Sequence, residues 1–204
     1  SRSNPQSVDD AQSVVNGFRK LGVDYVLTIF DNSGPTPNFY RFLFEWLTED
    51  PKLGLLIKSK GGKTWSHLAE GNNSFDHSLE QIMQLALNTR RIHLMSPYVS
   101  PGDVALVSDF TLGVGTFSAT ALAALQGARV FYLDYERLDQ SPQSAYSIFH
   151  SLGPDRCVFY DLRSLKQAII NYSTNPKDNP HLGDASPILQ RLDPFGDSGA
   201  SRRI

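Results

Sequence analysis

Six short runs rich in β-branched and aromatic residues recur along the chain: Tyr25–Phe30, Leu53–Lys58, Arg91–Met95, Val104–Val107, Arg129–Leu133 and Cys157–Tyr160. Each is apolar on successive positions instead of alternate ones, the pattern of a strand covered on both faces in a parallel sheet. Helical patterns fill the intervals. Asp9–Leu21 places Val14, Val15, Phe18 and Leu21 on one face, and Phe39–Leu47 carries a stripe of Phe39, Phe42, Leu43, Trp46 and Leu47 behind Pro35 and Pro37, which suit a helix entrance. Leu79–Leu87, Ser118–Leu125, Ser144–Leu152 and Leu162–Tyr172 continue the series, with Gly127 and Gly153 where C-terminal caps belong. This alternation predicts an α/β fold, a Rossmann-like three-layer α/β/α domain with a parallel sheet of about six strands.

Two segments break the rhythm. Gly61–Phe75, rich in Gly, Asn and Ser, reads as a long loop, and Asn175–Asp184 as a linker, so 175–204 is expected to hold that linker and the start of a C-terminal helix. The polar opening and the stop at Ser201-Arg202-Arg203-Ile204 read as cut ends. The expectation is one Rossmann-like domain over 1–204, a fragment of a longer chain.

Composition narrows the function classes. With 204 residues, 40% of them hydrophobic, the chain can bury a real core. Nineteen basic against 21 acidic side chains give a net charge of −2, so no global field draws it to nucleic acid or anionic membrane, and any anion needs a local site. No apolar run approaches the ~20 residues of a bilayer span. The lone Cys157 lies in an apolar run, which predicts a small buried hydrophobe and fits a reducing cytoplasm.

In open α/β sheets ligands bind outside the carboxyl ends of the strands. After the first run comes Asp31-Asn32-Ser33-Gly34-Pro35-Thr36-Pro37, where backbone amides and the hydroxyls of Ser33 and Thr36 suit a phosphate, or where an ordinary βα turn uses the same residues. After the Val104–Val107 run comes Ser108-Asp109-Phe110-Thr111-Leu112-Gly113-Val114-Gly115-Thr116-Phe117-Ser118. There Gly113 and Gly115 permit close approach of backbone, Thr111, Thr116 and Ser118 add hydroxyls, and the next helix's dipole favours negative charge. Capping and packing explain the same residues without a ligand.

Gly113-x-Gly115-x-x-Ser118, with Asp134 lying 21 residues after Gly113, approximates a dinucleotide fingerprint in which Ser118 stands for the third glycine. Asp134 and Glu136 are candidates for a ribose hydroxyl, or turn caps. Gly62-Lys63-Thr64 ends like a P-loop, but Ile57 occupies the place of its first glycine, which leaves Lys58, Lys60 and Lys63 as a cationic cluster. His67, His77, His93, His150 and His181 lack metal-ligand spacing, so no metal is assigned. No nucleophile and base constellation is legible, and no catalytic residue is assigned.

The order of these pieces resembles the C-terminal, donor-binding half of GT-B type bacterial surface-polysaccharide glycosyltransferases and CDP-glycerol glycerophosphotransferases. Leu56-Ile57-Lys58 is similar to the strand end that the family closes with Lys-Pro-His, with Ser59 and Lys60 replacing the last two. Asp109-Phe110-Thr111 resembles its Asp-Tyr-Ser-Ser turn, and Phe195-Gly196-Asp197-Ser198-Gly199-Ala200-Ser201-Arg202 its Asp-Gly-Lys-Ala-Ser-x-Arg tail. Leu122 stands where many GT-B enzymes carry an acid for the donor ribose, and Arg129 where proline is usual.

The resemblance implies a donor diphosphate on Asp109, Thr111, Gly113, Gly115, Thr116 and Ser118, with Ser33 and Thr36 alongside and Lys58 as cationic partner. It implies no cofactor, since the nucleotide-activated sugar or polyol is the substrate. It also implies an N-terminal acceptor domain of the same chain, without which this part binds but does not turn over, and peripheral contact of the whole protein with the inner membrane. Two other readings stay open: an NAD(P)-dependent oxidoreductase domain and a non-catalytic α/β interaction module.

Overall fold

Every residue of Tyr25–Asp31 and of Leu53–Ser59 is buried, as expected of strands with a helical layer on each side. In the computed structural model, which describes residues 4–31, 36–59, 77–114, 118–142 and 148–194, these are β1 and β2. Four further strands join them: β3 (Ile92–Met95), β4 (Phe110–Val114), β5 (Arg129–Leu133) and β6 (Val158–Phe159). The six form one all-parallel sheet in the order β3-β2-β1-β4-β5-β6. This is the Rossmann order, and the chain reverses its direction of travel between β1 and β4.

Helices α1 (Pro5–Lys20), α2 (Pro37–Glu49), α3 (His77–Asn88), α4 (Pro101–Ala105), α5 (Ser118–Leu125), α6 (Leu162–Thr174) and α7 (Leu189–Leu192) supply the outer layers. Leu27, Ile29, Leu55, Ile57, Leu112 and Phe131 face α2, α3 and α6, whose Phe39, Leu43, Trp46, Met83 and Leu165 complete one core. On the opposite face Val26 and Leu56 meet Ala11, Val15 and Phe18 of α1 and Val104 of α4. Phe30, Val130, Tyr132 and Val158 meet Ala123 and Ala124 of α5 there. The helix after β1 thus lies on one face and the helix after β4 on the other, which opens a crevice between them at the carboxyl edge.

One expected strand is a helix. Val104–Val107 falls in α4 and the turn that follows, because Ser100 caps Pro101–Ala105 by accepting the Gly102 N–H at 3.2 Å. Proline at the first helical position reinforces that start, and an apolar run this short has no period of its own to resist it. The central strand is instead Phe110–Val114, whose Thr111 and Gly113 hid its strand character. Of the expected Ser144–Leu152 helix, the described part, Ile148–Leu152, is a 3₁₀ turn. The stretch after α6 makes successive turns before a 3₁₀ turn at Ser186–Ile188 and the single helical turn of α7. Ser33, Lys60, Lys63, His67, Gly115, Thr116, the Gly61–Phe75 loop and the tail from Phe195 lie outside the described residues. Among the described residues no helix is long and apolar enough to cross a membrane.

Candidate functional site

The crevice is built from the last residues of the strands. β1 ends in Asp31, whose buried carboxylate accepts the hydroxyl proton of Tyr40 from α2. Burial, with Asp31 alongside, raises the Tyr40 phenol far above its usual range. In register beside Phe30 and Asp31 lie Lys58 and Ser59 of β2. The Lys58 ammonium donates to the carbonyls of Ser59 (2.9 Å) and Pro97 (3.1 Å), and its burial lowers its pKa. Two of its three protons are spent on main chain, so the expected cationic partner is first of all a tie between β2 and the loop after β3.

The residues expected in a loop after the fourth strand are divided by the true position of β4. Asp109 precedes it, at the amino edge of the sheet, where its carboxylate accepts the Val26 N–H and the Arg19 guanidinium, both at 2.7 Å. That is the wrong edge for a ligand of the crevice. Thr111 is inside the strand, fully buried, and donates to the Arg129 carbonyl at 3.2 Å. Gly113 is also inside, paired with Phe30 and Tyr132. A Cβ at Gly113 would collide with the hydroxyl of Thr120 on α5, so the glycine serves close helix–strand packing. Ser118 opens α5 and is exposed at the carboxyl edge, and Thr36 is exposed at the start of α2, where it caps the Phe39 N–H at 3.3 Å.

Asp134 follows β5 at the same edge. It is 2% exposed, and its Oδ2 accepts the Leu138 N–H at 2.9 Å and lies 2.8 Å from His150 Nε2. Glu136, two residues on, is exposed.

Between the N-termini of α2 and α6 a groove of about 780 Å³ runs along the carboxyl edge, lined by Phe39 and Phe42 of α2, Tyr135 after β5, and Asp161, Leu162 and Arg163 at the start of α6. Asp161 caps α6 by accepting the N–H and hydroxyl of Ser164, both at 2.8 Å. Those bonds hold its carboxyl below the ordinary aspartate range. Burial, with the Asp161 carboxylate nearby, pushes the Tyr135 phenol up to about 12. Aromatic surface, an ionised carboxylate and the exposed guanidinium of Arg163 therefore share one concave site.

No motif or spacing in the sequence marks Asp31, Tyr40, Tyr135, Asp161, Arg163 or His150 as a site residue. Asp161 and Arg163 carry only an indirect signal, because an Asp-Leu-Arg-Ser start to a helix after a strand is an N-cap at a carboxyl edge. The others become neighbours only through the crossovers. Comparison with protein-family models, curated proteins and solved structures finds no match for this chain.

Proposed function

We propose that this chain is the donor-binding domain of a transferase acting on nucleotide-activated sugars or polyols, of the GT-B kind used in surface-polysaccharide synthesis. The observation that carries the reading is the groove at the carboxyl edge between the starts of α2 and α6, where Phe42 and Tyr135 offer aromatic surface to a base, Asp161 an acceptor for ribose hydroxyls, and Arg163 a charge for phosphate. The rest of the phosphate chain would extend toward Thr36 and Ser118 at the starts of α2 and α5, where amide dipoles favour negative charge.

In this role the domain works by binding and electrostatics. As the donor bond breaks, charge accumulates on the leaving nucleotide diphosphate, and a fixed guanidinium and oriented dipoles stabilise it without reorganising. The acceptor and its base would come from a second domain across the cleft. The dinucleotide reading fits less well: Gly113 belongs to β4 instead of the turn after it, and one Asp134 oxygen is already held by Leu138 and His150.

Calorimetric titration of the full chain with UDP, CDP, their sugar or glycerol conjugates and NAD tests the proposal. Saturable binding of a pyrimidine nucleotide diphosphate, weakened at least about fivefold by Arg163→Glu with an unchanged melting temperature, is the expected result. Binding of NAD alone, or nucleotide affinity indifferent to Arg163→Glu and Tyr135→Ala, would overturn it.

A further inference from the structure

We infer that Asp134, Asp139 and His150 form a binding site for one divalent transition-metal ion at the carboxyl end of β5. The three residues are 5 and 16 positions apart, counted from Asp134, and no spacing rule joins them. The fold does so: a 3₁₀ turn at Leu138–Gln140 returns Asp139, and a second at Ile148–Leu152 returns His150, so that one ligand atom from each lies within 4.8 Å of the others. An imidazole and two carboxylates make a donor set suited to Zn²⁺, Mn²⁺ or Co²⁺ and poorly matched to a soft thiophilic ion.

A second observation points to a ligand. Asp134 is 2% exposed, yet its Oδ1 has no hydrogen-bond partner among the described residues. A buried carboxylate oxygen left without a donor carries an uncompensated desolvation cost, and a cation is one of the few species that removes it. The surroundings are organised for the purpose. The Leu138 N–H fixes Asp134 Oδ2 at 2.9 Å, the Tyr160 hydroxyl donates to Asp139 Oδ2 at 3.1 Å, and the edge of Tyr132 packs against the His150 ring at 5.7 Å between centroids. Such outer contacts hold metal ligands in orientation.

Asp134 and His150 need little movement, and the exposed Asp139 side chain closes from within 4.8 Å. His150 Nε2 and Asp134 Oδ2 are 2.8 Å apart. Neighbouring ligands around an ion at about 2.0–2.2 Å stand about 3 to 3.5 Å apart, so the pair separates by a few tenths of an ångström. The ion takes the place of the proton between them and is held by both Asp134 oxygens, which gives the buried Oδ1 the partner it lacks. That proton moves to Nδ1, or leaves for solvent when the imidazole is charged, and the Nε2 lone pair becomes the ligand.

The test is calorimetry on the full chain, stripped with EDTA and dialysed, titrated with ZnCl₂ and separately with MnCl₂, and absorption spectroscopy with CoCl₂. One ion per chain is expected, with visible Co²⁺ ligand-field bands, a raised melting temperature, and a loss of at least about tenfold in affinity in His150→Ala and in Asp139→Asn. Asp139 is exposed, so its variant separates ligand loss from misfolding. The control His77→Ala/His181→Ala should bind as wild type. Absence of saturable binding by all three ions, or equal affinity in wild type, His150→Ala and Asp139→Asn, would overturn the site. Neither outcome depends on nucleotide binding.

Discussion

Asp109 and Arg19 meet at 2.7 Å on the amino edge of the sheet, joining the strand that starts at Phe110 to the end of α1. The same Asp109 oxygen accepts the N–H of Val26, a fully buried residue of β1. The pair is about a third exposed, so its ionic part is worth little, and the bond to Val26 dominates. Asp109→Ala strands that N–H at a cost of about 1–3 kcal/mol. Thermal unfolding should shift down by several degrees while nucleotide affinity stays within twofold. A variant that melts normally but binds no nucleotide would return Asp109 to the ligand site.

Gly113 and Thr120 make a second structural test. Gly113→Ala drives a methyl into the Thr120 hydroxyl, which is buried and has no hydrogen-bond partner among the described residues. A cost of about 1–3 kcal/mol is expected from overpacking. Thr120→Ala removes the obstacle, so the double variant should recover most of that loss in a denaturant cycle. Additive losses would show that Gly113 is needed for something other than room.

Lys58→Met keeps the aliphatic stem but orphans the carbonyls of Ser59 and Pro97. The variant should lose stability by about 1–3 kcal/mol, offset in part by removal of a charge whose burial is unfavourable. Nucleotide affinity should change by less than about threefold. A tenfold loss at constant melting temperature would restore Lys58 as a direct phosphate partner.

Cys157 gives a pH dependence. Its thiol is fully buried, and burial raises its pKa from the usual 9.0 to about 12. The unfolded chain therefore loses this proton first, so the folded state binds more protons between about pH 9 and 12, and the stability present below pH 9 is lost as pH rises through that window. One group contributes a slope of at most about 1.4 kcal/mol per pH unit. Cys157→Ala should be less steeply destabilised than wild type over that range in urea titrations, with a constant offset below it. Parallel curves would mean that the thiol is accessible in the native state, a point alkylation of native protein would check.

Five of the six strands were legible as short apolar runs: Tyr25–Asp31, Leu53–Ser59 and Arg129–Leu133, buried at nearly every position, are mostly apolar, and the half-exposed edge strand Ile92–Met95 still carries Ile92, Leu94 and Met95. β4 was missed for the opposite reason. Its Thr111 and Gly113 imitate a loop, and the apolar run ahead of it belongs to a capped turn of helix. That single shift moved Asp109 to the opposite edge of the sheet and Thr111 and Gly113 from a loop into the strand itself.

The alternation of apolar runs and helical stripes, by itself, determined the layers and the parallel sheet, since burying those residues leaves few other solutions. It also pointed to the loops after the strands as the edge where open α/β sheets bind ligands. Tertiary structure alone decided which loops are neighbours, because strand order is set by long-range packing that no local pattern encodes. The meeting of the α2 and α6 starts around one groove follows from that order, and the pairings of Asp134 with His150 and of Asp31 with Tyr40 follow from how the chain folds back after β5 and β1. A carboxylate has the same sequence signature whether it caps a turn, ties down a strand or waits for an ion, and only its neighbours tell these apart.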